Sequence, residues 1–176
     1  VDAIKTGMLP TVEIIKAAAG AIDRSGLEKV VIDPVLVCKG EDEALFPENV
    51  EAMVQTLLPR ALVVTPNLFE AGQLSGLGNL TTIDDMKRAA EKIHAAGAKN
   101  VVIKGGKQLK HEKAVDLFYN GSTFTLLESE KTDTSYNHGA GCTFAAAITA
   151  NLANGLAVDE SVLEAKKFVS AAIANG

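Results

Sequence analysis

Between positions 138 and 143 the chain reads His-Gly-Ala-Gly-Cys-Thr, followed by an Ala-rich apolar stretch. Gly139 and Gly141 allow a tight backbone turn that exposes consecutive N–H groups at the start of a helix. Such a terminus attracts anions through its unpaired donors and the helix macrodipole. During phosphoryl transfer, charge spreads over the moving phosphoryl oxygens, and a preorganised set of donors would stabilise it. The same field favours the thiolate of Cys142, which could take the proton from an attacking substrate hydroxyl. His138, four residues before Cys142, could tune or assist that step. The turn by itself is equally compatible with a helix start whose Cys packs as a small hydrophobe.

Three other turns follow short apolar runs and carry unusual chemistry: Asp33-Pro34-Val35 through Cys38-Lys39-Gly40, Thr65-Pro66-Asn67-Leu68-Phe69-Glu70, and Lys104-Gly105-Gly106. Ligands of parallel α/β sheets bind beyond the C-terminal strand ends, which is where these turns belong. Asn67 and Glu70 have capping-box spacing, which explains them structurally. Their functional reading puts Asn67 near nucleotide phosphates and has Glu70 organise a hydrated Mg²⁺. Lys104-Gly105-Gly106 offers a cation and flexible backbone to phosphates, although glycines after a strand also simply turn the chain. Asp116, in the next strand-like run, either meets the nucleotide or lies on the surface. Cys38 and Cys142 do not make a disulfide framework.

Several other chemistries are excluded. No G-x-x-x-x-G-K-[ST] occurs, so there is no P-loop. Gly139-x-Gly141 lacks the third glycine and the preceding buried strand of a dinucleotide fingerprint. His138 and Cys142 could share a helical face, but the third and fourth ligands of a zinc site are missing. His94 and His111 read as ordinary surface or helix-end residues.

The elements that must position these turns are those of an α/β protein. The chain has 176 residues, with 47% hydrophobic, 22% charged and 5% aromatic, which suits one domain with helices packed on a parallel sheet. A net charge of −5 with no basic stripe argues against nucleic acid as a partner. No run of eighteen apolar residues and no signal peptide are present, which excludes a membrane span and reads as cytoplasmic. The sequence predicts strands at Ala3 to Thr6, Val30 to Asp33, Leu62 to Thr65 and Val101 to Ile103. Helices are expected from Pro10-Thr11 to Ser25-Gly26 (carrying Ile14, Ile15 and Ala18), from Pro47 through Leu57, after Asn67, and from Thr82-Asp85 to His94. A hairpin is expected from Ala114–Tyr119 and Thr123–Leu127 around Asn120-Gly121. Two last helices run from the Gly139 turn to about Ala153 and from Asp159 through Ile173. The opening at Val1 without Met, and the close at Ala174-Asn175-Gly176 within a helical pattern, are expected of a fragment.

In combination and in this order, these motifs resemble the ribokinase superfamily, specifically its pyridoxal and hydroxymethylpyrimidine kinase branch. The likeness covers essentially the whole chain. It rests on Lys5-Thr6-Gly7-Met8-Leu9, Asp33-Pro34-Val35, Thr65-Pro66-Asn67-x-x-Glu70, Lys104-Gly105-Gly106 and His138-Gly-Ala-Gly-Cys142-Thr143. The resemblance implies a ribokinase-like layered fold: a mainly parallel central sheet flanked by helices, with a late β-hairpin. Residues 1–176 would form a single, incomplete kinase domain without the family's N-terminal segment and C-terminal tail. It implies ATP and Mg²⁺, a hydroxymethyl acceptor on a small heteroaromatic ring, and a homodimer of the full-length protein. Many superfamily members carry Asp as catalytic base in this turn; here Cys142 replaces it, as in the hydroxymethylpyrimidine kinase branch.

By the same resemblance, Cys142, His138, Gly139 and Gly141 form the catalytic turn and its anion hole. Gly7, Met8, Val35 and Cys38 face the ring substrate. Asn67, Lys104, Gly105, Gly106, Lys107, Gln108, Asp116, Gly141 and Lys166 contact nucleotide, and Glu70 and Asp33 hold Mg²⁺ through water. The setting of Cys38 resembles the lid of a pyridoxal kinase subgroup, where a thiol adds reversibly to the pyridoxal aldehyde. Hydroxymethylpyrimidine has no aldehyde, so this implies pyridoxal as substrate. The alternatives are a hydroxymethylpyrimidine or phosphomethylpyrimidine kinase of thiamin biosynthesis and, in a different class, a non-catalytic nucleotide-binding remnant.

Overall fold

A computed structural model describes residues 1–36, 47–106, 108–132 and 138–175. Its sheet has six strands in sequential order: β1 (Ile4–Thr6), β2 (Val30–Ile32), β3 (Val63–Val64), β4 (Val101–Lys104), β5 (Ala114–Tyr119) and β6 (Phe124–Ser129). β1 to β4 are mutually parallel, and β5 and β6 return antiparallel. Helices α1 (Val12–Ser25), α2 (Pro47–Ala52), α3 (Leu68–Ser75), α4 (Ile83–Ala95), α5 (Ala140–Ala153) and α6 (Val158–Ala174) complete the layers. This is the expected α/β architecture with a mainly parallel sheet and a late hairpin.

Period-two alternation along the buried strands divides the core between two faces. Val30 and Ile32 join Val64, Val101 and Ile103 against Ile15, Ile22, Leu57, Met86 and Ile93. Val31, Val63 and Val102 point the other way, onto Phe144, Ile148 and Leu152 of α5 and Val162 of α6. Both layers therefore grip the same short strands and fix the line along which their C-terminal ends emerge.

Local departures from expectation have identifiable causes. In α1 the buried stripe is Ile15, Ala19 and Ile22, while Ile14 is exposed and Ala18 half-buried, because the helix turns its i, i+4, i+7 face inward. The helix from Pro47 stops at Ala52 and continues as a π turn (Met53–Leu57) and a 3₁₀ turn (Leu58–Arg60), where Pro59 withholds a backbone donor. The hairpin pairs Tyr119 with Phe124, leaving a four-residue loop instead of a two-residue turn. Asn120 Oδ1 accepts from the backbone N–H groups of Ser122 and Thr123, and the rings of Tyr119 and Phe124 stack at 4.3 Å. α6 starts at Val158 behind Ala157, one residue before the expected Asp159.

Candidate active site

The ends of the parallel strands bring Asp33, Thr65 and Lys104 together. Asp33 is 1% exposed. Its Oδ1 accepts from Thr65 Oγ1 at 3.1 Å and from Lys104 Nζ at 3.0 Å. Asp33 Oδ2 and Thr6 Oγ1 are buried and have no hydrogen-bond partner among the described residues. A buried oxygen of this kind demands a donor or a cation, so the position is suited to a ligand. Thr65 was not among the residues expected at the site. The available signal was a hydroxyl closing an otherwise apolar strand run.

Glu70 enters the same cluster from α3. Asn67 caps the helix, its Oδ1 accepting from Glu70 N at 2.8 Å, while the Glu70 carboxylate accepts from Asn67 N at 2.8 Å. The structural explanation of the Asn67–Glu70 spacing is thus realised in full. It does not exhaust Glu70, whose side chain is buried beside charges. Burial pushes its carboxyl up to about 7, against the pull of Lys104 and the Asn67 N–H, and the nearby Asp33 charge pushes the same way as burial.

The start of α5 faces this group. Gly139, its N-cap, has φ +78°, a left-handed conformation in which a side chain would be strained. A Cβ built on Gly141 would lie 3.2 Å from Lys104 Nζ, so the ammonium reaches the first turn of the helix. Cys142 follows directly and is exposed, which removes the reading of it as a packed small hydrophobe. His138 is exposed and, with Ala140, Thr143, Val169, Ala172 and Ile173, lines a groove between α5 and α6.

The two glycines after β4 are required for different reasons, close approach at Gly105 and a left-handed backbone at Gly106. A Cβ on Gly105 would fall 2.2 Å from the Val115 carbonyl oxygen, and Gly106 has φ +54°. Gly105 N donates to Asp116 Oδ1 at 3.0 Å, while Lys166 Nζ donates to Asp116 Oδ2 at 2.8 Å. Asp116 is 7% exposed, so the surface alternative for it is ruled out; both its oxygens are engaged by protein donors.

The structure therefore joins Asp33, Glu70, Lys104 and Gly141 in one cluster, with Asn67 and Cys142 beside it and Asp116 and Lys166 behind the Gly105 turn. Gly7 and Val35 are half-buried and follow the neighbouring strands β1 and β2, and Met8 is exposed. Gln108 is exposed. Cys38 and Lys107 lie outside the described residues, so their expected roles have no placement here. Among the described residues no group of three or more His, Cys, Asp or Glu side chains could hold a metal. No described helix is long and apolar enough to cross a membrane.

Comparison with known proteins identifies the family. The model of the phosphomethylpyrimidine kinase family matches residues 1–176. The chain is 61% identical to pyridoxine kinase of Bacillus subtilis, covering 98% of this chain and 64% of that protein. It is 40% identical to the hydroxymethylpyrimidine/phosphomethylpyrimidine kinase of the same organism, covering 99% of this chain and 64% of that protein. The solved ADP complex of Bacillus subtilis pyridoxal kinase superposes with a TM-score of 0.94 at 61% identity, covering 98% of this chain and 65% of that one. The chain thus spans slightly less than two thirds of the length of these curated relatives. With every residue inside the family model and the motifs after β2, β3 and β4 meeting at the C-terminal ends of those strands, the chain belongs to the phosphomethylpyrimidine kinase family.

Proposed function

We propose that the intact protein transfers the γ-phosphoryl group of ATP to the hydroxymethyl group of pyridoxal and related B6 vitamers, giving pyridoxal 5′-phosphate. The observation that carries the choice of acceptor is the identity gap: 61% to a pyridoxine kinase against 40% to a hydroxymethylpyrimidine kinase. The geometry supports the reaction type. Lys104 stands against Gly141 at the start of α5, so an ammonium and helix N–H groups converge where phosphoryl oxygens would carry charge.

In this reading the exposed Cys142 accepts the proton of the acceptor hydroxyl as its oxygen attacks the γ-phosphorus, and His138 assists from the neighbouring turn. The N–H groups at Gly141 and Cys142 stabilise the transferred phosphoryl group. Asn67, Lys104, Gly105, Gly106, Lys107 and Gln108 hold the nucleotide phosphates, and the α5–α6 groove, whose lining includes Ala140 next to Gly141, takes the base. Asp33 and Glu70 supply hard carboxylate oxygens, one of them buried and unpartnered among the described residues, which fits Mg²⁺ held through water. When bound, Mg²⁺ neutralises phosphate charge. Cys38 would hold the pyridoxal aldehyde, and the intact protein would be a homodimer.

The test is phosphorylation of pyridoxal and hydroxymethylpyrimidine by one preparation of the intact protein. A kcat/KM favouring pyridoxal is expected, and Cys142→Ala should lower kcat by about 10²-fold or more. A preference for hydroxymethylpyrimidine would instead support the thiamin-pathway reading. Absence of phosphoryl transfer to either would support a nucleotide-binding remnant.

A further inference from the structure

None of the contacts above uses Lys5. It is the middle residue of β1, half-buried and paired with Val31 of β2. Ala3 packs against the core layer of α5 and α6, and Ile4 against the opposite one, so strand alternation turns Lys5 to the α5 face of the sheet. Its ammonium reaches forward to the C-terminal end of the strand. A Cβ built on Gly7 would lie 3.8 Å from Lys5 Nζ and, chain neighbours aside, within 4 Å of no other described atom. Among the described residues Lys5 Nζ has no hydrogen-bond or ion-pair partner. A half-buried ammonium that borders open space without a counter-ion favours an anionic ligand.

The strand register brings this ammonium to the site. Thr6 pairs with Ile32, which sets Gly7 beside Asp33 on the next strand. The Asp33 carboxylate holds Lys104 at 3.0 Å, so one lysine comes to it from β4 and another approaches from β1. Their commitments differ. Lys104 belongs to the strand whose turn is assigned to nucleotide, and it is already bound to Asp33. Lys5 is unpaired among the described residues and belongs to the strand that leads into Gly7 and Met8, assigned to the ring acceptor. α5, whose first turn carries Gly141 and Cys142, packs over β1 and β2 on the face that Lys5 shares.

Phosphoryl transfer forms a bond from the hydroxymethyl oxygen to the γ-phosphorus, breaks the bond to the β-phosphate oxygen and sends the hydroxyl proton to Cys142. The charge of the γ-phosphoryl group thereby passes from the nucleotide to the acceptor, as a phosphate monoester. Resting on the kinase reading, we propose that Lys5 binds the phosphoryl oxygens from the acceptor side. It therefore holds the transition state and the phosphorylated product more strongly than the unphosphorylated vitamer. Lys5→Met removes the ammonium and keeps most of the chain length, while Lys5→Arg keeps the charge.

The test is calorimetric titration of the intact protein with pyridoxine 5′-phosphate and with pyridoxine, neither of which has an aldehyde to react with lysine or cysteine. In Lys5→Met the Kd for pyridoxine 5′-phosphate should rise about tenfold or more, with that for pyridoxine moving less than about twofold. The kcat for pyridoxal should fall about tenfold or more, while KM for ATP moves less than about twofold. Lys5→Arg should keep the phosphate ester within about threefold of wild-type affinity. Lys16→Met, an equal loss of charge at an exposed position of α1 on the opposite face of the sheet, should change neither Kd. The proposal is overturned if folded Lys5→Met binds pyridoxine 5′-phosphate as the wild type does, or if both ligands weaken together. It is equally overturned if Lys5→Arg loses as much as Lys5→Met, or if Lys16→Met has the same effect. Wild-type protein that phosphorylates neither acceptor would instead overturn the kinase reading.

Discussion

Replacing Glu70 by Gln should make the protein more stable at alkaline pH and leave it nearly unchanged in acid. Burial holds the Glu70 carboxyl at about 7 in the folded chain, against an ordinary value of 4.5. The folded state therefore binds this proton more tightly than the unfolded state. Below about pH 4.5 the group is protonated in both states and its contribution is fully present; it is lost as pH rises through 7. At 1.36 kcal/mol per pH unit, the loss is about 3 kcal/mol. Gln cannot titrate, yet its amide oxygen can still accept from Asn67 N and preserve the capping box. The stability of Glu70→Gln relative to wild type should therefore grow by about 3 kcal/mol between pH 4.5 and 8, or by roughly 6–12 °C in Tm for a domain of this size. Thermal and urea unfolding of both proteins at pH 5, 6, 7 and 8 in EDTA would measure it, because the other titrating groups cancel in the difference. A difference independent of pH, or one that shrinks as pH rises, would refute the reasoning. Kinase activity of the variant should fall even as its stability rises, because the charge that destabilises the fold is the one assigned to Mg²⁺.

Gly105→Ala should destabilise by about 1–3 kcal/mol, because its Cβ would lie 2.2 Å from the carbonyl oxygen of Val115 and force the turn away from Asp116. Urea titration should show a lower midpoint with an unchanged slope, and an unmoved midpoint would mean that the turn has room to shift. Cys38→Ala should raise KM for pyridoxal and leave KM for hydroxymethylpyrimidine alone, since only pyridoxal offers an aldehyde. Equal KM values for pyridoxal in the two proteins would eliminate the proposed thiol adduct.

The parts of the site that could be read from the sequence are those determined within a few residues. Asn67 with Glu70, and Thr82 with Asp85, form the capping boxes their spacing predicts, because donor and acceptor lie three residues apart. Gly139 takes the left-handed conformation that its turn requires. Tertiary packing decided the rest. The hairpin loop is longer than Asn120-Gly121 suggests because Tyr119 stacks on Phe124 and sets the register, while Asn120 closes the loop with its side chain. Lys104 and Asp33 are 71 residues apart, and Lys166 and Asp116 are 50 apart, so no local pattern links either pair.

The same distinction explains why single motifs looked ambiguous. The Asn67–Glu70 spacing set a cap against a metal site as though one excluded the other. In the folded chain the cap is complete, and it holds the carboxylate in a buried position between Lys104 and Asp33. Capping thus positions the charged group that the proposed chemistry uses. Asp116 extends the argument: the sequence presents a lone acidic residue in an apolar strand, and only the β4–β5 register puts it beneath the phosphate-facing turn. A residue of this kind is invisible to motif spacing because its partners are a backbone amide and a distant lysine.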